Sequence, residues 1–202
     1  MSVSPELELT ADGSHTLFIP ELDEHYHSVN GAIQESTHVF IQAGLHHLAK
    51  QKINIFEVGF GTGLNAFLTL LDTRESGKDI HYVTLEAYPL PDSITSKLNY
   101  SDKYTSEGQA LFSALHEAEW ERAVNITPFF SLTKLKADFT SFDFSALKEP
   151  VDLIYFDAFA PDKQPGMWSQ SLFDKLYGIT AAGGVLTTYC AKGAVRRMMQ
   201  QA

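Results

Sequence analysis

The chain has 202 residues, of which 44% are apolar and 20% are charged. This length fits one domain, and the composition excludes an intrinsically disordered chain. Asp and Glu number 25 against 15 Lys and Arg, a formal net charge of −10, which excludes a general phosphate-backbone binder but leaves room for one local basic patch.

Cysteine content and the apolar windows bear on the cellular compartment. Cys190 is the single cysteine, which excludes an intramolecular disulfide framework and agrees with a reducing compartment. The first ten residues, MSVSPELELT, lack a basic segment followed by an apolar one, so no signal peptide is predicted. The most apolar long window, residues 53–71, contains Glu57 and three glycines, which favours a buried strand, turn and helix over a membrane span. We therefore expect a cytoplasmic protein without a membrane anchor.

The first fifty residues predict a small amino-terminal unit. Residues 6–19 are typical of two strands around a turn at residues 11–13, which read Ala-Asp-Gly. A loop is predicted over residues 25–31. Apolar residues at helical spacing then predict one helix over residues 32–50.

From residue 51 onward, predicted strands and helices alternate. The strands are predicted at residues 53–58, 80–85, 124–137 (interrupted by Pro128), 151–156 and 185–190. The helices are predicted at residues 64–71, before about residue 98, at 106–120 and 169–178, and from 192 to the end. This alternation predicts an α/β fold with a mostly parallel, doubly wound sheet.

We predict two parts within one compact domain. Residues 1–50 form the hairpin, loop and helix, and residues 51–202 form the Rossmann-like core. Because the sequence ends in a helix shortly after the fifth predicted parallel strand, we expect the closing strands of the sheet to be missing from it.

The strongest local pattern is EVGFGTGLN at residues 57–65, where a predicted strand leads into a helix. Glycines allow positive φ angles and close approach of a ligand to the backbone, and the helix that follows offers unpaired N–H groups. The spacing is G-x-G-x-G, at Gly59, Gly61 and Gly63, with Leu64 where the dinucleotide fingerprint has its third glycine. The pattern predicts a ligand-binding turn, with an ordinary tight turn as the alternative.

Acidic residues accompany this loop. Glu86 follows the second core strand at a spacing typical of a carboxylate that binds a ribose diol. Asp138 follows the third strand and suits an adenine amino group, while Glu57 suits a cationic amino group. Each acid alone is more typical of a solvated loop. Together, beside a loop without Lys or Arg, they favour S-adenosyl-L-methionine over a pyrophosphate cofactor, and Asn65 completes the set of candidate cofactor-binding residues.

Asp157 is the candidate catalytic residue, because it directly follows the apolar strand at 151–156, where open parallel sheets carry their chemistry. A carboxylate there suits N-methylation, since it can stabilise positive charge passing from a sulfonium to a nitrogen or accept the proton of an alkyl amine. These roles conflict in part, because an anion also raises the pKa of the amine. A turn-capping aspartate is the alternative. Phe159 and Trp168 are candidates for stacking on a flat base, with core packing equally open.

Basic residues and histidines complete the inventory. Lys192, Arg196 and Arg197 form a basic cluster, to which Lys163 can add, and they suit phosphate contacts as well as a solvated helix face. Five of the eight histidines lie between residues 25 and 47. No three of them have convincing zinc-ligand spacing, so no metal site is predicted.

With these motifs together, the chain resembles the MnmD-type tRNA methyltransferases, which also occur as the amino-terminal half of bifunctional MnmC proteins. The matching segments are YHSVNGAIQESTHVF (26–40), EVGFGTGLN (57–65), LEAYPL (85–90), FDAFAPDKQPGMW (156–168) and GGVLTTYCAKGAVRR (183–197). The resemblance implies a class I methyltransferase fold and S-adenosyl-L-methionine-dependent N-methylation of 5-aminomethyl-(2-thio)uridine at the wobble position of tRNA. The product would be the 5-methylaminomethyl derivative.

The resemblance also implies roles for individual residues. The three glycines would line the cofactor, Glu86 would bind its ribose and Asp138 its adenine, and Asp157 would lie at the methyl-transfer centre. Tyr26, Ser28 and Glu35 would lie near cofactor and substrate.

The chain departs from the family in two ways. The sequence does not include the fused oxidoreductase domain, so we expect any upstream conversion to fall to a separate protein. The basic segment and closing strands after the last helix are absent too, which bears on tRNA docking more than on cofactor binding.

Two other functions remain open at this stage. The negative net charge suits a polyamine-forming aminopropyltransferase, or an enzyme that methylates small amines, because an acidic surface attracts polycations. The segment at residues 156–161, FDAFAP, is unlike the acidic motif of the aminopropyltransferases. A non-catalytic module that binds S-adenosyl-L-methionine is the other alternative, and the presence of Asp157 argues against it.

Overall fold

Three short strands near the amino terminus form an antiparallel sheet in the computed structural model, which describes residues 5–202. They are β1 (Glu6–Leu9), β2 (His15–Ile19) and β3 (Glu24–His25), in that order across the sheet. The hairpin predicted over residues 6–19 is confirmed, and β3 adds a strand that the predicted loop did not include. The prediction about a leader falls partly on residues 1–4, which lie outside the described residues.

The helix predicted over residues 32–50 is wrong as a single element. Helix α1 covers only Ala32–Ser36, and a π-helical stretch at Thr37–Gln42 and a 3-10 turn at Leu45–His47 follow it. Gly44 separates the last two, and a Cβ atom there would collide with the carbonyl oxygen of Phe40. Only glycine fits at position 44, because the backbone of Phe40 leaves no room for a Cβ atom. Since glycine is also a poor helix former, the regular helix does not continue through this position.

The rest of the chain alternates strands with helices, as predicted. These elements are β4 (Lys52–Val58), α2 (Leu64–Ser76), β5 (Asp79–Leu85), α3 (Asp92–Thr95), α4 (Ser106–Glu117), β6 (Ala123–Thr127), β7 (Phe130–Leu135), β8 (Val151–Phe156), α5 (Gln170–Ile179), β9 (Thr180–Thr187) and α6 (Gly193–Gln201). The strand material predicted at 124–137, interrupted by Pro128, forms the two strands of a hairpin, and Pro128 lies in the turn between them. The last strand starts and ends earlier than predicted, so Cys190 lies beyond it.

The large sheet has the strand order β6-β7-β5-β4-β8-β9. Strand β6 runs antiparallel to β7, and the other pairings are parallel. From β4 the chain builds outward on one side through β5 and β7, then crosses to the other side with β8 and β9. The switch point therefore lies between β4 and β8, where ligands of open α/β sheets bind. This is the α/β, mostly parallel fold that the sequence predicts.

Apolar clusters cover both faces of this sheet, and alternation along β4 assigns each side chain to a face. Ile53 and Ile55 face the cluster that contains α2, whereas Phe56 and Val58 face the cluster that contains α5. Leu17 and Phe40 from the amino-terminal part belong to the first cluster. The division at residue 50 stays a prediction. Within residues 5–202, no helix combines the length and apolar character that crossing a membrane requires.

Candidate active site

A cavity of about 590 Å³ opens at the carboxyl ends of β4, β5 and β8. It lies at the switch point of the sheet, between the glycine loop, the ends of these strands and the segment that follows β3. Ten of the candidate residues line it: Tyr26, Ser28, Glu35, Gly59, Gly61, Asn65, Glu86, Asp138, Asp157 and Phe159. The topology thus brings together residues that are as far as 133 positions apart in the sequence (from 26 to 159).

The glycine loop turns sharply because all three of its glycines have positive φ: 92° at Gly59, 50° at Gly61 and 74° at Gly63. The ring of Tyr26 covers the loop so closely that a Cβ on Gly61 would lie 3.1 Å from it. Gly63 sits at the start of α2, faces Phe60 and His116, and does not line the cavity. Two glycines therefore border the cavity, and the third shapes the turn from behind.

Glu86 closes one end of the cavity just after β5. Its Oε2 accepts a hydrogen bond from the backbone N–H of Gly61 (3.0 Å), and its Oε1 accepts one from that of Tyr88 (2.8 Å). Asp138 lies nearby, where its Oδ1 accepts from the backbone N–H and the hydroxyl of Thr140. Each carboxylate oxygen has more than one acceptor site, so both acids keep acceptor capacity toward the cavity.

The segment after β3 contacts the glycine loop through a side-chain hydrogen bond. His27 is 8% exposed, and its Nε2 lies 2.8 Å from the hydroxyl of Thr62. Burial lowers the pKa of His27 to about 4, so the ring is neutral at pH 7. The carboxylate of Glu35 accepts from the backbone N–H of Ser28 (2.9 Å). The contacts of His27 and Ser28, which follow Tyr26 in the chain, hold its ring over the glycine loop.

Asp157 marks the other end of the cavity. It follows β8, and its backbone N–H donates to the carbonyl oxygen of Val58 (3.2 Å), which places it beside the glycine loop. Its Oδ2 accepts from Nδ2 of Asn65 (2.8 Å). Burial raises the pKa of Asp157 to about 7, and the charge of Glu35 adds to the increase. The carboxyl group therefore exchanges its proton near neutral pH.

Glu57 does not line the cavity, which is a correction to its predicted contact with a cationic amino group. Its side chain is fully buried under α2, on the same face of β4 as Ile55. Strand alternation explains this position, because Glu57 is two residues after Ile55 and must point the same way. The sequence places an acid before the first glycine, but the pleat of the strand decides which way it points.

The two aromatic candidates have different surroundings. Phe159 lines the cavity and meets the ring of Tyr26 edge to face, with centroids 5.1 Å apart. Trp168 is 6% exposed, packs against Phe156 and Phe173, and donates its Nε1–H to the carbonyl oxygen of Phe159 (2.8 Å). The structure therefore supports core packing for Trp168, and it corrects the prediction that this ring stacks on a substrate base, because Trp168 does not line the cavity.

The basic candidates lie outside the cavity lining. Lys163 pairs with Asp23 (3.4 Å) and Lys192 pairs with Asp162, so acidic neighbours offset both charges. Arg196 is exposed on α6. Any contact of these residues with a substrate would thus fall beyond the rim, not at the reacting atoms.

The histidines near the amino terminus bind separate partners. His25 contacts Glu8 (3.0 Å), His27 contacts Thr62, and His46 contacts Asp72 (2.5 Å). In residues 5–202, no three His, Cys, Asp or Glu side chains are grouped as metal ligands. These side chains join segments of the fold to one another.

Sequence reasoning missed some of the lining residues, among them Glu24, Tyr88 and Tyr189. Tyr88 is 82% exposed at the rim, two residues after Glu86. The hydroxyl of Tyr189 donates to the carbonyl oxygen of Ala158 (2.9 Å). Both tyrosines follow the carboxyl ends of core strands, which is the signal that points to them.

Comparison with known proteins gives relatives whose class agrees with the geometry of this cavity. A family model described as S-adenosyl-L-methionine-dependent methyltransferase matches residues 115–202. Curated relatives include the "tRNA 5-methylaminomethyl-2-thiouridine biosynthesis bifunctional protein MnmC" of Marinomonas sp. (strain MWYL1), which is 31% identical over 96% of this chain, and that of Magnetococcus marinus, 30% identical over 94%. The chain spans about 30% of the length of each of these two relatives.

A solved structure shares the fold. MnmC2 from Aquifex aeolicus superimposes on this chain with a TM-score of 0.80 and a sequence identity of 24%. The superposition covers 99% of this chain and 64% of the MnmC2 chain. The sheet order, the switch-point cavity and these matches agree with one another. The chain therefore has the fold of MnmC2, and its residues 115–202 match the model of a family of S-adenosyl-L-methionine-dependent methyltransferases.

Proposed function

We propose that this chain transfers a methyl group from S-adenosyl-L-methionine to the amino group of 5-aminomethyl-(2-thio)uridine at the wobble position of tRNA. The observation that carries the proposal is one continuous cavity with the glycine loop and Glu86 at one end and Asp157 at the other. The MnmC relatives, whose printed name refers to 5-methylaminomethyl-2-thiouridine in tRNA, supply the substrate class.

The residues at the Glu86 end fit the cofactor. Side chains on Gly59 or Gly61 would close the space beside the loop, since a Cβ would lie 3.0 Å from the carbonyl oxygen of Asp157 or 3.1 Å from Tyr26. Glu86 and Asp138 are hydrogen-bond acceptors for a ribose diol and an adenine amino group. When bound, S-adenosyl-L-methionine supplies a methyl group on a positively charged sulfur, which the nitrogen receives as the carbon–sulfur bond breaks.

Asp157 prepares the nitrogen of the acceptor. A primary alkyl amine is protonated at pH 7, and its lone pair is unavailable until that proton leaves. We assign Asp157 Oδ1 as the proton acceptor, because Oδ2 is already bonded to Asn65. A base with a pKa of about 7 suits proton transfer at neutral pH. Asp157 takes one proton, and the nitrogen then forms a bond to the methyl carbon and carries the positive charge as a secondary ammonium. The electron pair of the broken carbon–sulfur bond would stay on the sulfur, which would leave as a neutral thioether.

Recognition of the amine falls to the acids around Asp157. Burial raises the pKa of Tyr189, and the charges of Asp157, Glu24 and Glu35 add to the increase, so these three charges act on the same part of the cavity. Negative potential there attracts an ammonium group and disfavours an anionic acceptor. Glu35 is held in place by the backbone of Ser28, which limits its freedom to turn away.

Docking of the rest of the tRNA would occur outside the cavity. Arg196 and Arg197 are exposed on α6, and Lys192 and Lys163 lie in neighbouring segments. We propose phosphate contacts for this group, with the protein acting in the cytoplasm where tRNA is found. An oxidoreductase or another modification enzyme would produce the 5-aminomethyl group.

Nucleoside mass spectrometry after incubation with methyl-labelled S-adenosyl-L-methionine tests the proposal. The tRNA comes from cells that lack the activity, and label is expected in 5-methylaminomethyluridine or its 2-thio form. Putrescine replaces tRNA in a parallel reaction. Label in putrescine alone would instead favour a small-amine enzyme, and cofactor binding without transfer to either would favour a non-catalytic module.

A further inference from the structure

Glu57 is a carboxyl group with no exposure to solvent and no role in the function proposed above. Its side chain is 0% exposed beneath α2, and neither of its oxygens makes a hydrogen bond to another described residue. Buried polar groups are nearly always paired, and an isolated buried carboxylate is among the costliest groups to hold. Glu57 therefore requires an explanation beyond packing.

The groups that face Glu57 offer it no positive charge. From β5 come Tyr82 and Thr84, from β8 comes Tyr155, and Asp157 lies just beyond β8. Asn65 faces it from α2. The set contains a second carboxyl group and no Lys, Arg or His. Burial is the largest influence and raises the pKa of Glu57 to about 8, and the charge of Asp157 adds to the increase. The nearby hydroxyls of Thr84 and Tyr82 and the amide of Asn65 act in the opposite direction and lower this pKa.

Asn65 connects the two acids. Its Nδ2 donates to Oδ2 of Asp157 (2.8 Å), while its Oδ1 is buried and lacks a donor among the described residues. An amide oxygen accepts hydrogen bonds, and an ionised carboxylate has none to donate. A protonated Glu57 does have one O–H donor, which satisfies Oδ1 and one of the two carboxyl oxygens together.

We propose that Glu57 is a neutral carboxylic acid that acts as a positioning residue: it donates to Oδ1 of Asn65 and thereby holds Nδ2 of Asn65 toward Asp157. This inference rests on the proposed function, in which Asp157 accepts the proton of the acceptor amine. The same relay sets the sense of the Asn65 amide, because the reversed amide would present an oxygen to Asp157. Glu57 touches neither substrate nor cofactor.

Substitutions at residue 57 test whether this side chain is needed for turnover, and the pH dependence described below separates the proposed role from simple packing. Gln is close in shape to neutral Glu and has an N–H donor, so Glu57→Gln should keep kcat within about threefold at pH 7, whereas Glu57→Ala should lower it at least about tenfold. Cofactor Kd should change little in either variant. Glu119→Gln, an exposed carboxylate paired with Arg122, is the matched control. Equal loss of kcat in the Gln and Ala variants would overturn the proposal.

The alkaline limb of the pH profile gives a second readout. Above pH of about 8 the wild type should lose turnover as Glu57 ionises and releases Asn65. Glu57→Gln cannot ionise and should keep its turnover through the same range. Matching alkaline limbs in the wild type and Glu57→Gln would contradict the proposal, because a packing role does not depend on ionisation.

Stability provides a readout that needs no methyl transfer. The folded state binds the Glu57 proton more tightly than the unfolded state, so the wild type should lose stability as pH rises from about 4.5 to about 8. The urea midpoint of the wild type should therefore fall as pH rises over this range, and the midpoint of Glu57→Gln should fall less. An identical pH dependence of the two midpoints would overturn the proposal that Glu57 is a neutral acid in the folded protein. If that difference is present and no tRNA is methylated, the proposed function fails while the protonation of Glu57 stands.

Discussion

The two ends of the cavity hold their carboxylates in opposite ways. Glu86 receives two backbone N–H groups, one for each oxygen, and it is partly exposed. Asp157 receives one side-chain amide at Oδ2 and lies deep enough for its pKa to rise to about 7. Backbone donors fix a carboxylate as a stable acceptor for hydroxyl groups, whereas a poorly solvated carboxylate retains affinity for a proton. One end is therefore suited to binding and the other to proton transfer.

The fold provides this difference through strand order. Glu86 follows β5 and reaches across to the backbone of the glycine loop, which follows β4. Asp157 follows β8 on the other side of β4, where Asn65 of α2 is its neighbour. A change at one end should consequently affect binding of the cofactor, and a change at the other should affect turnover.

Replacement of Asp157 should have the largest effect. Asp157→Asn removes the proton acceptor, so we expect kcat to fall by about 10²–10⁴-fold. Cofactor Kd, measured by calorimetry, should stay within about threefold, because the substitution keeps size and shape. A parallel loss of affinity and turnover would mean that Asp157 binds the cofactor, and the division between the two ends would not hold.

Gly61→Val should produce the next largest effect, and at the other end. Valine would contact the Tyr26 ring and would be strained at the φ of 50° that Gly61 adopts. We expect cofactor Kd to rise by about 100-fold or more, equal to about 2.7 kcal/mol. Gly178→Val is the control, since a Cβ at Gly178 meets nothing within 4 Å. Unchanged cofactor affinity in Gly61→Val would remove the glycine loop from the binding site.

A pair of matched substitutions compares the ends directly. Glu86→Gln should weaken the cofactor by about 10–100-fold, because its amide group would face a backbone N–H and lose the charged acceptor. Glu35→Gln should leave cofactor Kd unchanged and raise the KM for tRNA. Isothermal calorimetry and steady-state kinetics on both variants measure these three effects. Interchanged results would reverse the orientation that we propose for the ligands.

The pH dependence should distinguish the ends to a smaller extent. Asp157 accepts a proton only when it is ionised, so kcat should rise as pH increases through about 7. Below that value, turnover should decrease about tenfold per pH unit. Asp157→Asn should show no such rise in its residual activity. An unchanged acid limb in that variant would assign the titration to another group.

The smallest effect is expected for a substitution of Trp168, whose Nε1–H donates to the carbonyl oxygen of Phe159 in the loop after Asp157. Trp168→Phe removes the hydrogen bond to Phe159 and part of a packed ring, so unfolding free energy should fall by about 1–3 kcal/mol. The KM for tRNA should not change. Tyr177→Phe, at a side chain that is 68% exposed, is the control for chemical denaturation. A raised KM with unchanged stability would restore the predicted stacking role.

Local patterns predicted much of the fold because they depend on near neighbours in the chain. The apolar run before Gly59 and the glycines themselves identify a strand and a turn that the structure confirms. The single helix expected over residues 32–50 failed where Gly44 meets Phe40, because apolar spacing continues through a position that backbone contact makes irregular. The structure likewise resolves residues 124–137 into a hairpin, whose pairing is not visible in spacing alone.

The α/β class, the glycine loop and the acids that follow the strands are all predictable from the order of residues in the chain. Which of these acids share a space is set by the folded arrangement, because it depends on the order of strands and on the side to which each residue points. The fold placed Asp157 in the cavity with Asn65, and it placed Glu57 beneath α2 although both are acids at strand ends. Spacing along the chain specifies chemical groups, whereas burial and neighbouring charges specify their protonation and therefore what each can do.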